Sequence, residues 1–205
     1  MNDLKYSELE AKHQELIAIA INYMSNIKDF EHNLNHMKDV VSYTKQLLND
    51  LDIELDYEVC IISAYWHDVG RIKAFDGHEK ISADMLKEEM KKLNYNEKLI
   101  KKSYEAIENH KWNMTPQTNE GLVVKDADKL AWIGLGRWKA CLNNHQKLES
   151  IIELLPELRN NILYFEESKK IYDRDIIELV KLLYEYKNVM WYCSKYKSLF
   201  YRWTW

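Results

Sequence analysis

Apolar and polar residues recur along most of this chain at the spacing that puts apolar side chains on one face of an α-helix. Ser7 and Glu10 form a capping-box pair, which predicts a first helix from there to about residue 27. A second helix is predicted over about 31–51. Its predicted buried stripe consists of Val40, Val41, Tyr43 or Thr44, Leu47 and Leu48.

A third helix is predicted from about Asp56, and its segment CIISAYWHDV is apolar nearly all round. Such a helix is expected at the centre of a bundle, with Gly70 ending it in a left-handed conformation. Further elements are predicted in the following order: a helix over 79–93, a helix over 97–110 capped by Asn96, a loop over 111–118, and a helix capped by Asn119 that carries KDADKL. More helices follow residue 134, one broken at Pro156 and the last starting at about Asp173.

The composition supports an all-α protein. Only 5 Gly and 2 Pro occur in 205 residues, so helix breakers are rare. Apolar residues make up 46% and charged residues 30%, as in a soluble globular protein. No internal repeat or linker is visible. One helical domain over 1–205 is therefore expected, with a chemically distinctive core at about 31–134 and further helices at about 135–205.

Charge and cysteine content restrict the possible partners and compartment. The net charge of -4 supplies no basic excess for duplex nucleic acid, although a small phosphorylated ligand is compatible with it. The three widely spaced cysteines predict reduced thiols, and the polar segment MNDLKYSELEAK lacks the apolar core of a signal peptide. No apolar run is long enough to span a bilayer. A cytoplasmic protein without a membrane partner is expected.

Four segments carry most of the candidate chemistry. They are HNLNH with His32 and His36, AYWHDVGR with His67 and Asp68, the separate histidines His78 and His110, and KDADKL with Asp126 and Asp128. Imidazoles and carboxylates are the ligands of hydrolytic divalent-metal sites. The sequence therefore predicts a metal site built from nitrogen and oxygen atoms.

Each segment taken alone has a simpler interpretation. His32 and His36 share a helix face, but they also fit a pair of exposed polar residues near a helix start. His67 and Asp68 also fit a His-Asp dipeptide that occurs by chance, although a charged pair at the end of an apolar helix is costly unless it is ligated or paired. Asp126 and Asp128 point about 200° apart on a helix, so one enters the cavity and the other is a solvated acid. Helical periodicity does not distinguish them. His78 and His110 each fit a surface or capping histidine.

Taken in order, these segments resemble the HD-domain superfamily of metal-dependent phosphohydrolases, in particular its small stand-alone bacterial members. The family pattern H…HD…D is matched by His36, by His67 with Asp68, and by an Asp in the step Ala127-Asp128-Lys129-Leu130. The resemblance thus favours Asp128 over Asp126. It covers about Glu31 to Gly134, and it implies an HD-type helical bundle with an additional C-terminal helical layer.

The resemblance also implies a function. A divalent cation (Mn, Fe, Mg, Co, Ni or Zn) would be held by His36, His67, Asp68 and Asp128, and it would activate a water that hydrolyses a phosphoester or phosphoanhydride bond. The expected substrate is a small phosphorylated molecule, with a nucleotide preferred. Catalytic roles are expected for Asp68, His78 and His110. A second metal or the substrate would engage further candidates, namely His32, His78, His110, Arg71 and Lys129. Lys73 is also a candidate for phosphate binding.

Two other classes remain open from sequence. Some HD-fold proteins resemble di-iron oxygenases, and the extra histidines are compatible with that chemistry. A non-catalytic, metal-binding regulatory module is the other. The aromatic C-terminus, with Tyr192, Tyr196 and Phe200 at four-residue spacing, predicts core packing or a homodimer surface.

Overall fold

A computed structural model of the chain describes residues 2–29, 31–142 and 153–185. All regular elements within these ranges are helical, and none is a strand, so the predicted all-α class is confirmed. The chain divides into two compact units, Met1–Ala131 and Trp132–Trp205. Among the helices described, none is both long and apolar enough to cross a membrane.

The first unit contains seven α-helices and one 3-10 turn within its described residues. In chain order they are α1 (Asn2–Lys12), α2 (Gln14–Ser25), α3 (Leu34–Asp50), α4 (Tyr57–Trp66), the 3-10 turn (Val69–Ile72), α5 (His78–Lys92), α6 (Glu97–Ile107) and α7 (Asn119–Ala131). Helix α4 packs against α2, α3, α6 and α7. This central position agrees with its nearly continuous apolar sequence.

The core of the first unit surrounds Trp66, the last residue of α4. Its side chain is fully buried, and its indole Nε1 donates a hydrogen bond to the carbonyl oxygen of Leu16 at 3.2 Å. All five positions predicted for the buried stripe of α3 are buried. At the position left open between Tyr43 and Thr44, the buried residue is Thr44. Burial of aromatic and branched apolar side chains on this scale is the main favourable contribution to folding.

The N-terminal segment differs from its prediction. Ser7 lies inside α1 instead of capping it, and His13 separates α1 from α2. The reason is the buried side chain of His13, whose Nδ1 lies 2.8 Å from the Tyr95 hydroxyl and whose Nε2 lies 2.8 Å from Glu58 Oε1. A tertiary polar contact, which local spacing does not reveal, therefore sets this boundary.

Gly70 does not end α4 in a left-handed conformation, so that prediction is wrong. Helix α4 ends before His67, and Gly70 lies in the 3-10 turn. A β-carbon at this position would lie 2.3 Å from the His78 carbonyl oxygen and 2.6 Å from the Ser82 amide nitrogen. The Gly70 amide also donates to Ser82 Oγ at 2.8 Å. Glycine is required here because the start of α5 packs directly on the turn.

Side-chain caps fix the starts of several helices. The side chains of Asn33, Asp56 and Asn96 accept backbone N–H groups at the starts of α3, α4 and α6. The prediction for Asn96 is thus confirmed. At α7 the cap differs from the prediction, since Thr118 Oγ1 accepts from the Gly121 amide at 3.1 Å and Asn119 is already helical.

The second unit is also helical where it is described. It contains α8 (Leu135–Leu142), a helical stretch at 153–157 that continues as a π-helical turn (Leu158–Ile162), and α9 (Glu166–Glu185). Pro156 thus lies within a helical stretch and not at a break, and α9 starts before the predicted Asp173. The aromatic residues Tyr192, Tyr196 and Phe200 lie outside the described residues.

Candidate metal centre

Three histidines of the first unit are oriented by their own backbone. In His67, His78 and His110, Nδ1 lies 2.8 Å from the carbonyl oxygen three residues earlier. The carbonyls belong to Ala64, Phe75 and Ile107. Because a carbonyl accepts only, each Nδ1 must carry the proton, and each Nε2 is then a bare acceptor when the ring is neutral. This tautomer is the one that a histidine needs to bind a metal through Nε2.

The carboxylate of Asp68 faces two of these nitrogens. Asp68 Oδ1 lies 3.1 Å from His78 Nε2 and 3.6 Å from His110 Nε2, and all three side chains are buried. A carboxylate oxygen and a bare ring nitrogen are both acceptors, so they repel each other unless a proton or a cation lies between them. These three residues form the first candidate ligand set.

A second set lies beside it. His36 Nε2 is 3.1 Å from Asp128 Oδ1 and 3.4 Å from His67 Nε2, and His67 Nε2 is 4.0 Å from the same Asp128 oxygen. These residues come from α3, from the residue after α4, and from α7. Residues that are distant in sequence are thus brought together by the packing of three helices.

Asp68 lies between the two sets. Its Oδ2 is 3.7 Å from both His36 Nε2 and His67 Nε2, while its Oδ1 faces the other set. Within each set the three candidate ligand atoms lie within 4.8 Å of one another. Nitrogen and oxygen donors with these spacings suit divalent transition metals. The residues present therefore fit two divalent cations, with Asp68 able to contact both.

The electrostatics of the centre keep its ligands in the protonation states that metal binding requires. Burial alone would raise the pKa of Asp68, but His67, His110, His78 and Arg71 outweigh it and hold this pKa well below its usual range. Burial lowers the pKa of His67 to about 3. At neutral pH the centre therefore offers a carboxylate and a neutral imidazole at these two positions.

Asp128 is held ionised in the same way. Burial opposes ionisation, but the neighbouring Lys129 and His36 together keep the Asp128 pKa well below its usual range. Lys129 Nζ donates directly to Asp128 Oδ2. Burial of the paired cation and carboxylate is tolerated because each satisfies the other.

Two of the three basic side chains considered from sequence contact the candidate aspartate ligands, and the third does not. Arg71 Nε lies 2.8 Å from Asp68 Oδ2, and Lys129 contacts Asp128 as described. Lys73 is exposed on the surface. Of the three cations considered from sequence, only Arg71 and Lys129 thus border the centre.

The structure brings Asp128 into the centre and leaves Asp126 outside both ligand sets. The choice suggested by the family resemblance therefore agrees with the geometry. The expectation that the other aspartate is a solvated acid is wrong, because Asp126 is completely buried. Helix α7 has buried residues on every side from Gly121 to Ala131, so an acid on its far face is enclosed as well.

His32 also lies outside both ligand sets, although its ring is close to His36, with centroids 5.6 Å apart. Its Nδ1 lies 2.8 Å from Asp29 Oδ2. The hydrogen bond from His32 lowers the pKa of Asp29 to about 2, which favours an ion pair or a strong hydrogen bond between them. Sequence reasoning overlooked Asp29, and its position three residues before His32 was the available signal.

Comparisons with known proteins identify a family and a fold that this chain resembles. Residues 33–133 match the family model of the HD domain. A solved structure from an uncultured Thermotogales bacterium, described as a predicted HD superfamily hydrolase, is similar over 85% of this chain and 91% of its own, with a TM-score of 0.64 and 20% sequence identity. No curated protein matched. The resemblance inferred from sequence is confirmed, and an HD domain implies divalent-metal binding.

Proposed function

We propose that this HD-domain protein is a metal-dependent phosphohydrolase that cleaves a phosphoester or phosphoanhydride bond of a small phosphorylated substrate. The observation that carries the proposal is the placement of Asp68, a buried carboxylate faced by four histidine nitrogens at 3.1 to 3.7 Å. Three of these nitrogens, in His67, His78 and His110, are bare acceptors when the rings are neutral, and such a concentration of acceptors around a carboxylate is stable only with positive charge nearby. Two adjacent divalent cations would supply that charge and are a common basis for phosphoryl hydrolysis.

Each residue of the centre has a defined role in this proposal. His36, His67 and Asp128 would hold one cation, His78 and His110 would hold the other, and Asp68 would contact both. Bound there, the cations supply a water of lowered pKa and polarise a phosphoryl oxygen. We assign His78 and His110 to metal binding and not to proton transfer, because their Nε2 atoms face Asp68 Oδ1.

The phosphate group would be held by the two positively charged side chains that border the centre, those of Arg71 and Lys129. Arg71 forms an ion pair with Asp68, while its Nε and Nη1 atoms are buried without a hydrogen-bond partner, so the guanidinium has donors left for a phosphate oxygen. Lys129 has three donors and can bind phosphate while still contacting Asp128. These residues neutralise substrate charge and orient the phosphorus toward the metal-bound face.

A nucleotide is the substrate class that we favour. Each of the two basic side chains beside the centre also lies near an aromatic ring. Arg71 Cζ is 5.3 Å from the centroid of the Phe75 ring, and Lys129 Nζ is 5.7 Å from the centroid of the Trp112 ring. Aromatic rings beside phosphate-binding cations suit a ligand that combines a phosphate with a planar base.

The direct test is a hydrolysis screen with metal-supplemented protein. Release of phosphate or pyrophosphate would be measured from nucleotides, sugar phosphates and a simple phosphodiester with each of Mn²⁺, Fe²⁺, Mg²⁺, Co²⁺, Ni²⁺ and Zn²⁺. Activity should fall at least about 100-fold in Asp68→Ala, as expected when a ligand that contacts both cations is lost. Asp52→Ala removes an exposed carboxylate and is the matched control.

Metal analysis of the same samples separates the alternatives. We expect two divalent ions per chain in the unmodified protein and one in His110→Ala. Metal-loaded protein without any hydrolysis would contradict the proposal and favour a regulatory module. Bound iron together with oxygen-dependent turnover would favour the di-iron oxygenase class instead.

A further inference from the structure

An exposed aromatic residue lies next to the metal centre. Phe75 is 70% exposed, and it lies in the short segment between the 3-10 turn and α5. Its carbonyl oxygen accepts the hydrogen bond from His78 Nδ1 at 2.8 Å. The backbone of Phe75 is therefore fixed to one of the candidate metal ligands, while its ring is open to solvent.

The side chain of Arg71 contacts both the Phe75 ring and Asp68 of the metal centre. Its Nε lies 2.8 Å from Asp68 Oδ2, and its Cζ lies 5.3 Å from the Phe75 ring centroid. Because the guanidinium group is rigid, these two contacts place the ring within about 10 Å of the Asp68 oxygen. In a 5′-nucleotide the base and the phosphate are separated by one ribose, which is a distance of the same order.

Phe75 is more exposed to solvent than Trp112, the aromatic residue near Lys129. Trp112 is half-buried in the first unit, whereas most of the Phe75 ring surface faces water. Exposed aromatic surface gains free energy when a flat apolar partner covers it, and nucleic-acid bases are such partners. Arg71 adds a positive charge that would attract the phosphate of the same ligand.

We propose that Phe75 is the base-stacking residue of this site and gives it a preference for nucleotides over phosphorylated sugars. The proposal rests on the proposed function for the position of the phosphate group. In it, Arg71 contacts the phosphate while the base lies on the open face of the Phe75 ring. Phe75 thereby determines specificity through substrate binding and takes no part in bond cleavage.

Binding measurements with two ligands that cannot be hydrolysed test the proposal. The probes are the phosphonate analogues of adenosine monophosphate and of ribose 5-phosphate, in which a carbon–phosphorus bond replaces the ester. Calorimetry on the full-length, metal-loaded protein would give Kd for both. We expect the adenosine analogue to bind at least about tenfold more tightly, as one stacked base contributes.

The variants then locate that preference. Phe75→Ala should reduce the ratio of the two Kd values about tenfold, and Phe75→Trp should retain it. The matched control is Ile72→Ala, which removes an exposed apolar side chain from the neighbouring turn and should leave the ratio unchanged. Circular dichroism and metal content would show that each variant is folded and loaded.

Two results would overturn the proposal. One is equal affinity of the unmodified protein for the two analogues, and the other is an unchanged ratio in Phe75→Ala. Failure of the proposed function has a different signature, since it would leave a Phe75-dependent preference for the adenosine analogue without hydrolysis of any ester. Conversely, hydrolysis of sugar phosphates with no preference for the base would refute the role of Phe75 alone.

Discussion

At the scale of single residues, the geometry around Asp68 depends on a glycine at position 70, where no side chain could be accommodated. Gly70 lies two residues after Asp68, and the backbone of α5 approaches it so closely that a β-carbon would meet the His78 carbonyl at 2.3 Å and the Ser82 amide at 2.6 Å. Both atoms belong to a helix backbone and cannot move independently. A methyl group here would have to displace the start of α5, which carries His78.

We therefore predict that Gly70→Ala destabilises the protein by roughly 1–3 kcal/mol and weakens metal binding, as overpacking does in other tightly packed interiors. Urea unfolding and metal titration would measure the two effects. Gly136→Ala is the matched control, because a β-carbon there meets nothing within 4 Å and alanine favours the helix. Equal stability of Gly70→Ala and the unmodified protein would contradict the close packing.

At the scale of elements, the position of His36 depends on how α3 begins. The Asn33 side chain accepts hydrogen bonds from the amides of Asn35 and His36. The cap thus holds the backbone of a candidate metal ligand in the first turn of the helix, where fraying would otherwise be greatest.

Asn33→Ala should cost about 1 kcal/mol of stability and should also lower metal affinity at the set that contains His36. Asn96→Ala removes the equivalent cap from the start of α6, whereas the nearest candidate ligand, His110, follows the opposite end of that helix. It should cost a similar free energy of unfolding while leaving metal affinity unchanged. A parallel loss of affinity in both variants would show that global stability, and not the start of α3, controls metal binding.

The sequence predicted those elements whose signals are local. The cap at Asn96 and the stripe of α3 follow from residues within one or two turns, and both are present in the structure. The prediction failed where distant parts of the chain meet. Gly70 was predicted to end α4 from its own backbone freedom, whereas the contact that requires glycine there comes from α5. The helix boundary at His13 depends on a contact with Tyr95, which is distant in sequence.

The candidate site was predictable for similar reasons. His67 and Asp68 follow an apolar helix, and that context alone required a partner for the charge. Helical spacing could not decide between Asp126 and Asp128, because the direction of each side chain depends on which neighbours surround α7. Only the packed structure shows that both are buried and that Asp128 alone joins a ligand set.

At the scale of the whole molecule, one buried polar cluster joins distant parts of the first unit. His13 lies between α1 and α2, and it contacts Glu58 of α4 and Tyr95 just before α6. Burial lowers the pKa of His13 below its usual value of 6.5, although Glu58 partly opposes the shift. The neutral ring can accept a hydrogen bond from the Tyr95 hydroxyl at Nδ1, while its Nε2 lies 2.8 Å from Glu58 Oε1 without hydrogen-bond geometry.

This cluster predicts a loss of stability in mild acid. Below pH 6.5 the unfolded chain gains a proton at His13 that the folded chain does not take up until its lowered pKa is reached. The free energy of unfolding should therefore fall with decreasing pH in this range, by up to about 1.4 kcal/mol per pH unit from this residue. Urea unfolding at several pH values would measure the slope. In His13→Gln the slope should be shallower, and parallel curves for the two proteins would refute the assignment.

The three histidines whose Nδ1 atoms donate to carbonyls three residues earlier have a consequence for the order of events in assembly. These rings are oriented by their own short stretches of backbone, so their tautomers are fixed without a bound ion. The folded first unit thus presents three oriented ring nitrogens before any ion binds. Because nitrogen and oxygen donors of this kind suit several divalent ions, we expect the availability of each ion to decide which one binds.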